Sequence, residues 1–259
     1  CDGHVLPRLR ERLAREPART FRAFRVLKAV GIPESHLDAL VKDLQPQHPD
    51  VRFGFRTHAP ENHLKLLAHG ASAQQAAERL AEVEQQARGR LGARLFGVDD
   101  TPFAAAVLAA LDAADVTVAL AESCTGGLCA SLLTAVPGAS RRLVASAVTY
   151  QEESKTALLG VPRGLVASEG AVSAAVTRAL AQAARVRTGA TIGLAVTGWA
   201  GPGGGTPRDP VGTVYLCLAT AERELEERHQ FAGDRERVRT FAAYQALELL
   251  RQRAGERGA

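Results

Sequence analysis

The most informative segment of the chain is Ala121-Glu122-Ser123-Cys124-Thr125-Gly126-Gly127. An apolar run, Val116 to Leu120, leads into it, and a small-residue pattern with helical spacing follows from Leu128. This order predicts a strand, a tight turn and a helix. The glycines let the backbone approach a ligand, and N–H groups at the helix start can bind an anion. The turn therefore predicts either a serine nucleophile beside an anion site or, as the simpler alternative, a residue that only caps the helix.

Composition indicates a globular protein with a core of small residues. Of 259 residues, 46% are hydrophobic and 5% aromatic, so we expect one large and one smaller domain built on Ala, Val and Leu. The net charge is +4, with many arginines before residue 26. A solvated helix face explains these better than nucleic-acid binding. The chain begins at Cys1 and contains no methionine, and we expect a segment upstream of it.

The cysteines and the apolar runs bear on the cellular compartment. The four cysteines lack metal-ligand spacing, so we expect reduced thiols in a cytoplasmic protein and no metal site. The longest apolar stretch, Phe103 to Ala121, is interrupted by Asp112 and Asp115. We therefore expect no membrane contact.

The first hundred residues predict a small α+β module of βαββα order, preceded by an amphipathic helix over residues 5–18. Turn residues and a proline between Phe96 and Pro102 favour a domain boundary there. In the module we expect an apolar and basic run at residues 20–30, a helix that opens after Ser35 and runs to Leu44, strands over 51–56 and 63–68, and a helix over 72–91.

After Pro102, helices alternate with continuous apolar runs, which is typical of an α/β sheet covered on both faces. The sequence does not give the strand directions. If the strands that end at Ala121, Tyr150 and Val196 are parallel, their ends bring Ser123, Lys155 and Thr197-Gly198 together. Strands are expected at 116–121, 143–150, 191–196 and 213–219, and helices at 103–113, from 128, from 152, at 173–185 and from 235.

Ser123 needs a base, and the nearest candidate is Lys155, with Tyr150 as a proton relay. The alternatives are a surface lysine and a half-buried strand tyrosine. The glycine-rich loop from Thr197 to Thr206 is compatible with a nucleotide or a sugar phosphate, or is a structural turn. Arg235 and Arg239 share one face of the last helix and either bind a phosphate or are simply solvated.

Together these segments resemble the CinA family. From residue 103 to about 250 the chain is similar to the C-terminal amidase domain of that family, and residues 19–100 look like its KH-like middle domain. Residues 1–18 resemble the end of its molybdopterin-binding-like domain. The segments that carry the resemblance, in order, are Ala121 to Gly127, Val136 to Ser140, Val148-Thr149-Tyr150 with Lys155, Leu159-Gly160-Val161, Gly170 to Ser173, Thr197-Gly198 with Ala200-Gly201-Pro202, Pro210 to Val214 and Gly233-Asp234-Arg235.

The resemblance implies a three-layer α/β/α amidase domain over 101–259, a smaller KH-like α+β domain over 19–100 and a domain remnant over 1–18. It implies hydrolysis of nicotinamide mononucleotide to nicotinate mononucleotide and ammonia, with no metal and no organic cofactor. We also expect a homodimer. The alternative is a non-catalytic nucleotide-binding or competence and DNA-damage module. We expect no nucleic-acid binding, because a KH domain that clamps nucleic acid needs a Gly-X-X-Gly loop, which we expect residues 19–100 to lack.

The site residues follow from the same resemblance. The family's serine, tyrosine and lysine fall on Ser123, Tyr150 and Lys155, and its substrate-contacting threonine and arginine on Thr197 and Arg235. To these we add Thr125, Gly126 and Gly127 for the oxyanion, Gly198 and Gly201 in the loop, and Arg239 as a reserve phosphate ligand.

The chain departs from the family pattern at three places. Gln151-Glu152-Glu153-Ser154 replaces a common Ser-Asn-Glu-Ala segment, Trp199 replaces isoleucine or tyrosine, and Asp209 replaces a frequent lysine. If Glu152 or Asp209 faces the pocket, it is expected to raise the pKa of Lys155 or to weaken phosphate binding.

Overall fold

The computed structural model describes residues 20 to 254. The chain forms two compact units, divided between Asp100 and Thr101. The helix expected over residues 5–18, and its assignment as a domain remnant, lie outside the described residues. None of the helices between residues 20 and 254 has the length and hydrophobicity that a membrane-spanning helix needs.

The N-terminal unit, over residues 20 to 100, is an antiparallel sheet packed against helices. Its elements are β1 (Phe21–Val30), α1 (Glu34–Val41), α2 (Leu44–Gln47), β2 (Val51–His58), β3 (Glu61–Gly70), α3 (Ala73–Leu91) and β4 (Leu95–Val98). The strand order is β2-β3-β1-β4, and every neighbouring pair is antiparallel. The predicted βαββα order is present, with β4 added at the edge where the sequence suggested only a turn.

Alternation along β3 builds the core of this unit. Leu64, Leu66 and Ala68 are buried, since successive side chains of a strand point to opposite faces. Helix α3 packs on β3 and β1, and the Ser72 hydroxyl caps it by accepting from the Gln75 N–H (3.1 Å).

Glu84 of α3 accepts a hydrogen bond from Arg25 of β1 (2.8 Å), and one sequence expectation for this region needs correction. The unit also contains a Gly-X-X-Gly spacing, at Gly89-Arg90-Leu91-Gly92, although the sequence reasoning expected none. Its first three residues lie in the last turn of α3, and Arg90 forms an ion pair with Asp43. The spacing is therefore part of a helix and not an open clamping loop.

The C-terminal unit, over residues 101 to 254, is a mixed five-stranded sheet between helices. Its elements are α4 (Phe103–Ala114), β5 (Val118–Glu122), α5 (Leu128–Thr134), β6 (Leu143–Val148), α6 (Glu152–Leu159), α7 (Arg163–Glu169), α8 (Ala174–Thr188), β7 (Ile192–Gly198), β8 (Thr213–Ala219), β9 (Glu224–Gln230) and α9 (Arg235–Arg253). The strand order is β6-β5-β7-β8-β9.

Strands β5, β6 and β7 run parallel, as the site prediction required, whereas β8 is antiparallel to β7 and β9 is antiparallel to β8. Sequence reasoning missed β9 because its residues, Glu224 to Gln230, are almost all polar. They alternate between exposed and half-buried at the sheet edge, a place where charged strands prevent edge-to-edge pairing.

Helices cover both faces of this sheet, which confirms the predicted three-layer α/β/α arrangement. Helix α8 packs on the face that carries Ala119, Ala121 and Ala195. Its approach is so close that a Cβ at Gly193 would lie 1.9 Å from the Ala181 carbonyl oxygen. The other face, with Leu120 among its buried residues, lies under α9, which packs on β7 and β8. Short side chains thus bring α8 against the strands that end at the site.

Candidate active site

Ser123 lies directly after β5 and is held by main-chain hydrogen bonds. Its N–H donates to the Val196 carbonyl on β7 (2.9 Å), and its own carbonyl accepts from the Gly126 N–H (3.0 Å). Gly126 and Gly127 have φ angles of +62° and +91°, which glycine adopts without a steric penalty. The predicted strand, turn and helix are therefore present, and Ser123 is fixed at the carboxyl edge of the sheet.

The N–H groups at the start of α5 are occupied by a side chain of the same motif. The carboxylate of Glu122, which is 1% exposed, accepts from the N–H groups of Cys129 (3.0 Å) and Ala130 (2.9 Å) and from the Thr125 hydroxyl (2.8 Å). A carboxylate here satisfies helix donors and compensates the helix dipole. The anion that the sequence predicted at this helix start is therefore Glu122 itself. Sequence reasoning gave Glu122 no role, although an acidic residue before a helix is a recognisable signal.

Arg239 supports the same turn from the closing helix. Its Nε donates to the Cys124 carbonyl (3.1 Å), and one terminal nitrogen donates to the Thr125 carbonyl (2.8 Å). Its guanidinium is thus committed to two backbone oxygens. This corrects the expectation that Arg239 is a reserve phosphate ligand and makes it a positioning residue for Ser123.

Lys155 approaches Ser123 from α6. Its side chain is 1% exposed, and its Nζ lies 3.4 Å from Ser123 Oγ and donates to the Thr149 carbonyl at 2.8 Å. Burial lowers the pKa of Lys155 below its ordinary value of 10.5, while the nearby Glu152 and Cys124 oppose this by raising it. A lysine with a lowered pKa beside a serine hydroxyl has the geometry of a nucleophile and its base.

A pocket of about 260 Å³ opens beside this pair. Loops after three strands and two helix starts contribute to its walls. The lining residues are Ser123, Cys124, Tyr150, Glu152, Lys155, Ala171, Val172, Gly198, Trp199, Ala200, Gly201, Gly203 and Arg235. The structure therefore brings together Ser123, Tyr150, Lys155, Gly198, Gly201 and Arg235 from the set of sequence-predicted residues.

Tyr150 and Arg235 lie together in this wall. The Tyr150 side chain is 55% exposed, and its hydroxyl accepts a hydrogen bond from Arg235. Arg235 also donates to the Gly201 carbonyl (2.5 Å), which joins the first turn of α9 to the glycine-rich loop. Arg237 points elsewhere, with its guanidinium 4.6 Å above the ring of Phe241. The helix phase inferred from the sequence, with Arg235 towards the site, matches this arrangement.

Besides Arg239, four predicted substrate contacts are not in the pocket wall. Within the described part of the chain, the wall includes Ser123 and Cys124 of the turn but not Thr125, Gly126 or Gly127. The Gly126 N–H donates to the Ser123 carbonyl inside the turn, so it is not free for an oxyanion, whereas the assignment to the Thr125 and Gly127 N–H groups stays a prediction.

Thr197 is the fourth. It is fully buried, with its hydroxyl 2.7 Å from that of Thr177 on α8. Strand alternation turns its side chain to the face covered by α8, whereas the next residue, Gly198, reaches the pocket. This corrects the expectation of a substrate contact from the Thr197 side chain.

The residues that depart from the family pattern also divide into those that line the pocket and one that does not. Glu152 and Trp199 line the pocket. Asp209 does not, and its carboxylate accepts hydrogen bonds from the Tyr215 hydroxyl on β8 (2.8 Å) and from Arg228 Nε on β9 (3.1 Å). The expectation that Asp209 disturbs phosphate binding therefore does not hold.

Comparison with known proteins agrees with this architecture. The model of the CinA C-terminal domain matches residues 100–254, and the model of the damage-inducible protein CinA KH domain matches residues 24–97. The chain belongs to the CinA family. A CinA-like protein of Myxococcus xanthus is 54% identical over 252 residues, which cover 97% of this chain and 60% of that protein. A CinA-like protein of an Anaeromyxobacter species is 46% identical over 253 residues, with the same coverage. The chain thus spans about 60% of the length of these CinA relatives.

Solved CinA structures are similar to the chain as well. The competence/damage inducible protein CihA from Agrobacterium tumefaciens is 35% identical with a TM-score of 0.53, over 56% of this chain and 88% of that one. A CinA superfamily protein from Klebsiella pneumoniae is 32% identical with a TM-score of 0.56, over 58% of this chain and 94% of that one.

Proposed function

We propose that the C-terminal unit is an amidase that hydrolyses nicotinamide mononucleotide to nicotinate mononucleotide and ammonia. The observation that carries this proposal is the contact between Lys155 and Ser123. Lys155 Nζ is buried 3.4 Å from Ser123 Oγ, and burial lowers its pKa. A serine hydroxyl becomes nucleophilic when an adjacent base takes its proton.

The reaction then proceeds in two halves. In the first, neutral Lys155 takes the Ser123 proton, Oγ bonds to the carboxamide carbon, and the C–N bond breaks as Lys155 returns the proton to the leaving ammonia. In the second, Lys155 takes a proton from water, the hydroxide displaces Ser123 Oγ from the acyl carbon, Lys155 returns the proton to Oγ, and nicotinate mononucleotide leaves. The N–H of Cys124, which directly follows the nucleophile in the pocket wall, is the proposed oxyanion donor.

The phosphate of the substrate is assigned to the Arg235 side of the pocket. Arg235 is near the start of α9 and is oriented by Gly201 and by Tyr150. Its forked guanidinium and the helix dipole both favour a phosphate there. Because the Tyr150 hydroxyl is bonded to Arg235, we assign Tyr150 to this end of the substrate and not to a proton relay.

The test is release of ammonia from nicotinamide mononucleotide by the full chain. We expect Ser123→Ala and Lys155→Met each to lower kcat by at least about a thousandfold, as loss of a nucleophile or its base does in acyl transfer. Ser131→Ala, which changes an exposed serine of α5, is the matched control and should keep the rate. Full activity of Ser123→Ala, or loss of wild-type activity on treatment with a chelator, would contradict the mechanism.

A further inference from the structure

Two pocket residues that differ from the family pattern, Glu152 and Trp199, have no part in the mechanism above. Glu152 is exposed at the first turn of α6, and its charge acts on the site because it raises the pKa of Lys155. Trp199 follows β7 in the glycine-rich loop. Both line the pocket that holds Ser123.

Trp199 is held in one place but retains a free hydrogen-bond donor. Its six-membered ring packs so closely on Gly204 that a Cβ there would lie 2.6 Å from Cε3. Its indole Nε1 is buried and has no hydrogen-bond partner within residues 20–254. A buried indole N–H normally has a partner, so Trp199 brings an unsatisfied donor as well as its indole ring to this wall.

The two side chains have a chemical preference in common. A carboxylate attracts a positive charge, and the electron-rich face of an indole attracts a cation. Arg235, in the same wall, attracts a negative charge. The pocket therefore has one set of groups for an anion and another for a cation.

From this arrangement we infer that Glu152 and Trp199 are specificity-determining residues that select a ligand whose aromatic ring carries a positive charge. The inference rests on the proposed function and narrows it. The ring of the substrate must be a pyridinium, and an isosteric neutral ring binds more weakly even when its phosphate and carboxamide are unchanged.

The chain offers a direct probe, since Trp199 is its one tryptophan. In the Ser123→Ala full chain, which cannot turn over substrate, fluorescence quenching of Trp199 reports occupancy of the pocket. The ligands are nicotinamide mononucleotide and the C-nucleoside monophosphate in which a neutral benzamide ring replaces the pyridinium. We expect the pyridinium to bind about tenfold tighter, which corresponds to about 1.4 kcal/mol from a charge pair and a cation–π contact.

Variants separate the contributions. Glu152→Gln should reduce the preference to about threefold or less, whereas Glu153→Gln, which changes an exposed neighbour outside the pocket wall, should keep it. Trp199→Ile removes the fluorescent probe, so binding to this variant is measured by calorimetry. The substitution should weaken binding of the pyridinium ligand more than binding of the neutral ligand.

Three results would overturn the inference. Equal affinity for the two ligands, or a preference unchanged by Glu152→Gln, refutes charge selection but leaves the proposed amidase in place if the wild type still releases ammonia. If neither ligand shows saturable binding, both the inference and the proposed substrate are refuted.

Discussion

Replacing Arg235 by alanine tests how the substrate is held. Arg235 donates to the Gly201 carbonyl and to Tyr150, so its guanidinium is oriented before a phosphate arrives. A hydrogen bond to a charged group is worth about 1.5 to 3 kcal/mol, and the exposure of Arg235 places it towards the lower value. Since about 1.4 kcal/mol is a factor of ten, we expect kcat/KM for nicotinamide mononucleotide to fall about ten- to a hundredfold.

The assay compares the mononucleotide with nicotinamide riboside, which has no phosphate, by measuring ammonia release. Activity on the riboside should fall much less than activity on the mononucleotide. Arg237→Ala is the control, because it removes the same charge two residues away, from a guanidinium that lies over Phe241. Equal losses on both substrates, or a larger loss from Arg237→Ala, would refute the assignment.

Four further predictions follow from other contacts. Arg239→Ala removes two hydrogen bonds to the Ser123 turn, so kcat should fall about tenfold and equally for mononucleotide and riboside; a loss specific to the mononucleotide would restore Arg239 as a phosphate ligand. Glu152→Gln removes a charge that raises the pKa of Lys155, so the rising limb of the kcat–pH profile should move to lower pH, and a shift to higher pH would contradict this. Because burial lowers the pKa of Lys155 in the folded protein, the unfolded chain binds a proton on Lys155 at a higher pH than the folded protein does. As pH falls from 10.5, Lys155→Met should therefore gain stability over the wild type by at most about 1.4 kcal/mol per pH unit, and a pH-independent difference in denaturation midpoints would be contrary. Because the Gly-X-X-Gly spacing is helical, the full chain should not bind RNA or single-stranded DNA at physiological salt; a salt-dependent micromolar affinity in fluorescence anisotropy would show otherwise.

Much of the fold could be read from local pattern. The apolar run before Ser123 and the glycines after it predicted the strand and the turn, and Thr213 to Ala219 was predicted with the bounds the structure gives. Strand β9 was missed because a polar edge strand has no apolar signal. The added strand β4 was missed because its four residues are too short to show a period.

The site was harder to predict in its details than in its place. Parallel strands bring their carboxyl ends to one edge, so Ser123 and Lys155 could be expected to be neighbours. Which way a side chain points depends on long-range packing, as for Thr197, which faces α8, and Arg239, which binds carbonyls 114 and 115 positions away in sequence. Glu122 illustrates the same limit, because its partners on α5 come close only when the turn has formed.

The most direct test of the account is detection of an acyl-enzyme on Ser123. The full chain would be mixed with nicotinamide mononucleotide, quenched in acid within the first turnover, digested and analysed by mass spectrometry. We predict nicotinate mononucleotide attached as an ester to the peptide that contains Ser123, and no such adduct on Ser123→Ala. Ammonia release by the wild type with an adduct on a different residue, or release by Ser123→Ala at the wild-type rate, would contradict it.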